Sequence, residues 1–292
     1  MPDDAALARA AAPLLPRCSF PPAGTTVTCA VSGGADSTAL LALAVAAGCC
    51  ATAVHVDHGL RPGSAAEADV VAATAGRLGA AFRAERVEVA DGPNLEARAR
   101  AARYGMLPAG ALTGHTADDQ AETVLVNLLR GSGLDGLAGM GPERHPLLRL
   151  RRAETRALCA TLDLATIDDP SNADPRHRRN RIRHELLPLL DAIAERDVAA
   201  LLARQADTLR AEADLLDRLA AAIDPTDAAA LAAAPPVLAR RAVRRWLADP
   251  YPPDAAAIER VLAVARGEAV ACELGGGRRI RRSGMRLATV AR

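Results

Sequence analysis

The hexapeptide SGGADS, residues 32–37, stands between two apolar runs, residues 27–31 and residues 38–45. An apolar run, two glycines and a second apolar run predict a strand, a tight turn and a helix. Glycines let the backbone approach an anion closely, and the N–H groups and dipole of a helix N-terminus favour negative charge at the same place. We therefore predict a phosphate site formed by Ser32, Gly33, Gly34, Ala35, Asp36 and Ser37.

Asp36 is the unusual member of this turn. A carboxylate beside phosphate is useful mainly where a divalent cation or a departing group lies next to it. The turn is not a Walker loop, because no lysine follows the glycines and the chain contains none. It also lacks the third glycine of a dinucleotide-binding fold. An ordinary strand-to-helix turn with an Asp or Ser cap is the structural alternative.

Strand and helix signals alternate through the first half of the chain. Predicted strands lie at residues 51–56, 82–89 and 111–113, and predicted helices lie at residues 64–78, at residues 94–107 and after Thr116, which Asp119 joins in a capping box. This alternation predicts an α/β fold, with a parallel sheet, helices on both faces and right-handed crossovers. Ligands of such sheets bind beyond the carboxyl ends of the strands. The glycine turn and the segments at 57–59 and 114–115 should therefore line one crevice.

From residue 182 onward the pattern changes to long helices rich in Ala, Leu and Arg, interrupted by prolines. Residues 269–290 predict a terminal hairpin around a Gly-Gly-Gly turn. We therefore expect a catalytic domain over residues 1–190 and a smaller, mainly helical domain over residues 191–292.

Composition narrows the class of protein. At 292 residues and 50% hydrophobic the chain can bury two cores, and with aromatics at only 2% these must be packed with Ala, Leu and Val. No apolar run is long enough to cross a membrane, and the N-terminus lacks a signal-peptide pattern, so we expect a soluble cytoplasmic protein. The six cysteines form no Cys-x-x-Cys pair, which argues against a metal or iron–sulfur centre. A net charge of +1 argues neither for nor against nucleic acid.

A second cluster of polar residues is GHTADDQAET, residues 114–123. On a helix, His115, Asp119 and Glu122 fall along one edge, and Asp118 adds a third acid. Acids in a first turn also favour the helix dipole without any function. Three carboxylates and a histidine beside a phosphate loop exceed that need. They suit holding Mg²⁺ on ATP and binding the ammonium group of a nucleophile.

Arginine is concentrated in the second half of the chain. Five arginines occur in residues 176–183, and eight more lie in residues 240–245 and 278–282. A solvated charge run is the usual explanation of such stretches. Neutralising the phosphates of a polyanion larger than ATP would explain both groups.

Taken together, these motifs resemble one family, the tRNA(Ile)-lysidine synthases of the PP-loop (N-type) ATP pyrophosphatase superfamily, in a short form. The hexapeptide alone would also fit GMP synthetases, NAD synthetases and thiolating enzymes. The family-level match rests on the order of HVDHGLR at 55–61, residues 114–123, RGSGL at 130–134 and residues 172–188. These motifs span about the first two thirds of the chain.

The resemblance implies a two-step ligation. ATP adenylates the C2 carbonyl oxygen of the wobble cytidine in the isoleucine tRNA with a CAU anticodon, and pyrophosphate leaves. The side-chain amino group of free L-lysine then attacks C2 and expels AMP, which leaves lysidine and changes decoding from AUG to AUA. The implied cofactors are ATP and Mg²⁺, no membrane is involved, and the resemblance is compatible with a homodimer.

The resemblance also implies roles for residues at matching positions. Residues 32–37 would hold ATP, with Asp36 holding Mg²⁺, and Asp36, His115, Asp119 and Glu122 would act in catalysis. Contacts to nucleotide, lysine or tRNA are implied for Arg100, Arg103, Asp118, Asn180, Arg181 and Arg183.

Two alternatives stay open on the sequence. A PP-loop tRNA thiolase would also activate a base oxygen with ATP, but the missing Cys-x-x-Cys pairs count against it. A non-catalytic tRNA-binding protein would gain nothing from carboxylates beside phosphate. Longer family members carry a further C-terminal domain, so how methionine tRNA, which also has a CAU anticodon, is rejected stays open.

Overall fold

The computed structural model describes residues 4–57, 64–87, 105–167, 176–249 and 251–291. Contacts divide the chain into two compact units, Met1–Thr208 and Leu209–Arg292. The functional division at residues 190 and 191 stays a prediction, since these units are defined by contacts alone.

The first unit contains a four-stranded sheet in the order β3-β2-β1-β4, and all its strand pairs are parallel. The strands are β1 (Thr26–Ala30), β2 (Cys50–Asp57), β3 (Ala81–Arg86) and β4 (Leu112–Thr113). The predicted α/β fold with a parallel sheet is confirmed. The end of the strand predicted at 82–89 and most of the helix predicted at 94–107 lie outside the described residues.

The helices of the first unit pack with this sheet and with one another. They are α1 (Asp4–Ala11), α2 (Ala35–Ala46), α3 (Ser64–Arg77), α4 (Ala117–Leu128), α5 (Leu134–Leu137), α6 (Arg152–Thr161), α7 (Arg178–Arg181) and α8 (Leu187–Ala194), with a π-helical turn at Ile182–Leu186. The next helix, α9 (Val198–Ala221), is the long helix expected in this part of the chain.

The core of the first unit is built around α2. Leu40, Leu41 and Leu43 are fully buried, so this helix is apolar on all sides and packs between neighbours instead of facing water. Cys29 of β1 and Leu158 of α6 belong to the same cluster. Burying α2 fixes the position of its first turn, which carries the hexapeptide.

The second unit combines helices with a small antiparallel sheet. Its elements are α10 (Ala228–Ala233), α11 (Pro236–Trp246), α12 (Ala255–Arg266), β5 (Ala271–Glu273), β6 (Arg278–Ser283) and β7 (Arg286–Ala291), with strand order β5-β6-β7. Val243, Val261 and Ile280 are fully buried in its core.

The predicted terminal hairpin needs a correction. The Gly-Gly-Gly turn separates β5 from β6 as expected, but the chain turns again at Gly284, where φ is +61°. The stretch read from sequence as one strand is therefore two, and the hairpin is a three-stranded sheet. A single Ser-Gly pair was a weaker signal than three consecutive glycines, although a positive φ suits glycine at both places.

Among the described residues, no helix combines the length and apolar character that a membrane crossing requires.

Candidate active site

A cleft of about 320 Å³ opens where β1 and β4 end and α2 begins. The hexapeptide and the Gly114–His115 turn both line it, as the sheet topology predicts. Its polar side chains include Asp36, Asp119, Arg152, Arg156 and Arg183. Of the third predicted segment, 57–59, residues 58 and 59 lie outside the described residues.

Two glycines make the close approach of chain segments possible at this cleft. Gly33 has a φ of +91°, and a Cβ there would lie 2.5 Å from the Cδ1 atom of Ile167. Gly114 lies so close to the loop that a Cβ would be 2.5 Å from the carbonyl oxygen of Asp36. A side chain at Gly114 would therefore push the end of β4 away from the hexapeptide.

The serines of the hexapeptide hold the loop in shape. Ser37 Oγ donates to the carbonyl oxygen of Gly34 at 2.9 Å and accepts from the Ser32 N–H at 3.2 Å. The two serine hydroxyls lie 3.2 Å apart. Gly34 is the N-cap of α2, and no side-chain cap is bonded there within the described residues. The first N–H groups of α2 thus remain suited to an anion.

Asp36, Asp119 and Glu122 are joined by two arginines. Arg152 Nε lies 3.2 Å from Asp36 Oδ2, and its Nη2 lies 2.8 Å from Asp119 Oδ1 and 3.6 Å from Glu122 Oε1. Arg183 Nε lies 2.7 Å from Glu122 Oε1. Glu122 is 0% exposed, so its charge depends on these guanidinium groups.

The environment separates the pKa values of these three carboxyl groups. Burial raises the pKa of Asp36, against a hydrogen bond from Thr155. Burial and the neighbouring Asp119 raise the pKa of Glu122, against Arg183. Burial also acts to raise the pKa of Asp119, but Arg152, the neighbouring His115 and the hydrogen bonds from Thr116 outweigh it and leave that pKa below its usual value. Asp119 is therefore the most readily ionised of the three.

Asp118 and Asp119 have different surroundings. Asp119 lines the cleft and accepts from the Thr116 N–H at 2.9 Å, which is the capping interaction predicted for α4. Asp118 instead accepts from Arg151 Nη2 at 2.8 Å and Nε at 3.1 Å, and from the Arg152 N–H at 2.8 Å. The structure brings Asp119 to the cleft and ties Asp118 to the start of α6.

His115 is part of a three-residue group. Its Nδ1 lies 2.6 Å from Thr113 Oγ1, which lies 2.5 Å from His145 Nδ1. The two imidazole rings meet edge to face with centroids 4.8 Å apart. The side chain of His115 is thus held just beyond the carboxyl end of β4 by Thr113 and His145, which come from two segments of the chain.

The predicted substrate-contact residues are distributed unevenly. Arg183 reaches the cleft, whereas Arg181 pairs with Glu185 at 2.9 Å on the surface, and Asn180 is buried at 8% exposure. Arg100 and Arg103 lie outside the described residues.

Sequence reasoning missed three residues that complete the site: Arg152, Thr155 and His145. Arg152 and Thr155 are 116 and 119 positions away from Asp36, which both contact. The one usable signal was indirect, since three clustered acids that are partly or fully buried require a positive partner.

Two protein-family models match parts of the chain. A PP-loop domain family matches residues 10–190, and a TilS substrate binding domain family matches residues 227–288. A tRNA(Ile)-lysidine synthase from Nocardia farcinica is 44% identical over 280 residues, covering 88% of each chain. The chain belongs to the tRNA(Ile)-lysidine synthase family.

A second member of the tRNA(Ile)-lysidine synthases, from Rhodococcus erythropolis, is 45% identical over 238 residues, covering 76% of this chain and 73% of that protein. Among solved structures, a U34-tRNA thiolase, NcsA from Methanococcus maripaludis, shares the fold with a TM-score of 0.55 at 16% identity, covering 71% of this chain and 80% of that one. The family and its PP-loop domain imply an enzyme that uses ATP, and they do not favour the thiolase or the non-catalytic alternative.

Proposed function

We propose that this chain ligates free lysine to C2 of the wobble cytidine in the isoleucine tRNA with a CAU anticodon, releasing AMP and pyrophosphate. The observation that carries the proposal is that the hexapeptide lines the same cleft as Asp119. Family membership supports the same activity.

In the first step the C2 oxygen of cytidine attacks the α-phosphorus of ATP, and the bond to pyrophosphate breaks. The N–H groups at the start of α2, that of Ser37 among them, and the hydroxyl of Ser32 suit the phosphates of ATP, while the Ser37 hydroxyl bonds the Gly34 carbonyl oxygen. Holding ATP in one geometry turns an encounter into an intramolecular reaction.

Asp36 fits a magnesium ion carried by ATP. Mg²⁺ is usually bound by one or two carboxylates together with phosphates and water, and the carboxylate of Asp36 borders the phosphate loop. When bound, Mg²⁺ would neutralise charge on the phosphates.

In the second step the lysine amine needs a charge partner and then a proton acceptor. Asp119, with its lowered pKa, suits the ammonium form. Glu122 shares the Arg152 guanidinium with Asp119 and has a raised pKa, so we propose it as the group that takes the proton that the ammonium must lose before it attacks C2. His115 lines the cleft together with Asp119 and suits contact with the adenylated base.

The tRNA requires positive charge outside the cleft. Several of the arginines expected to bind it are engaged within the second unit: Arg241 with Asp217 at 2.6 Å, Arg278 with the Asp249 carbonyl at 2.6 Å and Arg282 with the Ala265 carbonyl at 2.8 Å. Arg244 and Arg281 are exposed and have no acidic partner within the described part of the chain. We propose these two for phosphate contacts.

The test is incorporation of labelled lysine. Purified protein with ATP and Mg²⁺ should label the isoleucine tRNA with the CAU anticodon and not methionine tRNA. The same reaction with labelled sulfur tests the thiolase alternative. Sulfur transfer, or no lysine transfer to either tRNA, contradicts the proposal.

A further inference from the structure

Three arginines line the cleft, and two of them are already neutralised. Arg152 is surrounded by Asp36, Asp119 and Glu122, and Arg183 pairs with Glu122. Arg156 lines the same cleft, and its guanidinium has no ion-pair partner among the residues that the structure describes. The available positive charge of the described cleft wall is therefore that of Arg156.

The position of Arg156 follows from how α6 lies against the hexapeptide. Arg152 and Arg156 are four residues apart, so they fall on one edge of α6. Thr155 donates to the carboxylate of Asp36, and Cys159 Sγ lies 3.4 Å from the carbonyl oxygen of Ala35. Residues on both sides of Arg156 thus touch the start of α2. Arg156 stands one turn further along α6 than Arg152, which faces the acids.

We propose that Arg156 binds the pyrophosphate portion of ATP. This inference rests on the proposed function, in which ATP is cleaved between its α- and β-phosphates. The α-phosphate must point toward the base and the lysine. We place the lysine beside the acids Asp119 and Glu122. The β- and γ-phosphates then lie along the hexapeptide, beside Arg156.

The charge balance explains why an arginine is needed there. When the cytidine C2 oxygen attacks the α-phosphorus, the bridging bond to the β-phosphate breaks and its electron pair leaves with pyrophosphate. A guanidinium can contact two phosphate oxygens at once and stabilise that developing charge. Arg152 cannot supply this charge without leaving its carboxylates unpaired.

The experiment measures affinities for ATP, inorganic pyrophosphate and AMP by titration calorimetry, with displacement titrations for the weaker ligands. We compare the wild type with Arg156→Ala and Arg156→Lys. We expect Arg156→Ala to weaken the binding of ATP and of pyrophosphate by about 10- to 100-fold, as for a lost charge-assisted hydrogen bond. The same change should weaken the binding of AMP by less than about twofold. The affinities of Arg156→Lys for ATP and pyrophosphate should lie between those of the wild type and Arg156→Ala, because lysine keeps a point charge but lacks the bidentate guanidinium.

The matched control is Arg204→Ala. Arg204 is an exposed arginine of α9 that lines a different cavity, and it too has no ion-pair partner within the described ranges. It should leave all three affinities unchanged, and thermal unfolding of each variant should match the wild type.

The outcomes separate the two proposals. Unchanged ATP affinity in Arg156→Ala, or an equal loss for AMP, overturns the inference while leaving lysine ligation intact if the wild type still forms lysidine. A wild type that neither binds ATP nor forms lysidine overturns the proposed function, and this inference with it.

Discussion

Arg152 Nη2 lies 2.8 Å from Asp119 Oδ1, and the same guanidinium also reaches Asp36 and Glu122. Burial acts to lower the pKa of Arg152, but the three carboxylates outweigh it and raise that pKa. One side chain from α6 thus joins an acid of the phosphate loop to two acids of α4. Because a guanidinium stays charged at any physiological pH, the positive charge that Arg152 places between these acids does not change with pH.

Replacing Arg152 with methionine should be strongly destabilising. The change keeps much of the side-chain volume but leaves three partly or fully buried acids with less positive charge. We expect a loss of about 3–5 kcal/mol in the free energy of unfolding, measured by urea titration. Arg149→Met, at an exposed arginine paired with Asp207, serves as the control and should cost about 0–1 kcal/mol. Equal losses in the two variants would contradict the role given to Arg152.

Asp118→Asn and Asp119→Asn should affect different properties. We expect Asp119→Asn to raise the KM for lysine by about 10- to 100-fold, since the proposed ammonium partner loses its charge. Asp118→Asn should leave that KM within about threefold, because Asp118 binds Arg151 away from the cleft. Lysine incorporation at varied lysine concentration measures both, and a larger KM effect for Asp118→Asn would reverse the assignment.

Asp118 should also make stability depend on pH. Burial opposes ionisation of Asp118, but hydrogen bonds from Arg151 and the Arg152 N–H outweigh it and lower its pKa. A lowered carboxyl pKa adds stability above the unfolded-state pKa of about 3.9, and this stability is lost as pH falls through the folded-state pKa. Urea unfolding should show wild type more stable than Asp118→Asn by about 1 kcal/mol at pH 7, with the difference shrinking below about pH 4. A difference that is constant from pH 7 to pH 3 would contradict this; Asp249→Asn, at an exposed acid, is the control.

Asp36→Ala should abolish pyrophosphate release while leaving tRNA binding intact. Its carboxylate is the one we assign to the magnesium ion of ATP, and removing it leaves the phosphates less neutralised. Release is followed with labelled ATP and binding by filter retention at fixed salt. Normal pyrophosphate release from Asp36→Ala would remove the metal role.

Gly114→Ala tests the close approach of β4 to the hexapeptide. The added Cβ would lie 2.5 Å from the carbonyl oxygen of Asp36, which cannot move without shifting the first turn of α2. We expect a loss of about 1–3 kcal/mol in stability, and weaker ATP binding. Gly76→Ala is the matched control, since nothing lies within 4 Å of a Cβ at this position in α3, and it should stabilise by about 0.5–1 kcal/mol. Similar stability in both variants would show that the contact is unimportant.

Arg244→Ala and Arg281→Ala should each weaken the binding of tRNA, and the loss should not depend on the nucleotide sequence of the tRNA. Each phosphate contact contributes about one unit to the slope of log affinity against log salt, so each variant should reduce the slope by about that amount. Affinity is measured at several salt concentrations. If both slopes match that of the wild type, these arginines do not contact phosphate.

The sequence predicted the parts of the fold that local patterns encode. Strand β1, the turn at 32–37 and helix α2 follow from apolar runs around glycines, and Asp119 was placed correctly in the cap of α4. These signals are local, so neighbours in the chain are enough to predict them. The family resemblance was confirmed for the same reason, because its motifs are short and ordered.

The partners of the catalytic acids could not be predicted in this way. Arg152 reaches Asp36 across 116 positions of sequence, and His145 reaches Thr113 across 32. Only the packing of α6 against α2 and of the 144–150 segment against β4 brings them together. An arginine-rich stretch gives no indication of which guanidinium is buried. Arg181 pairs with Glu185 on the surface, whereas Arg183, two residues later, pairs with the buried Glu122.

The pairing of Arg152 and Arg183 with the acids has a consequence for how each substrate affects the binding of the other. Before lysine arrives, the acids already carry their counter-charges, so the incoming ammonium adds positive charge to a nearly balanced site. ATP brings negative charge to the same cleft, and its presence should make lysine binding more favourable. Linkage makes the effect reciprocal, so bound lysine should increase the affinity for ATP by the same factor. The two substrates would then cooperate through charge alone, which calorimetric titration of each in the presence of the other can measure.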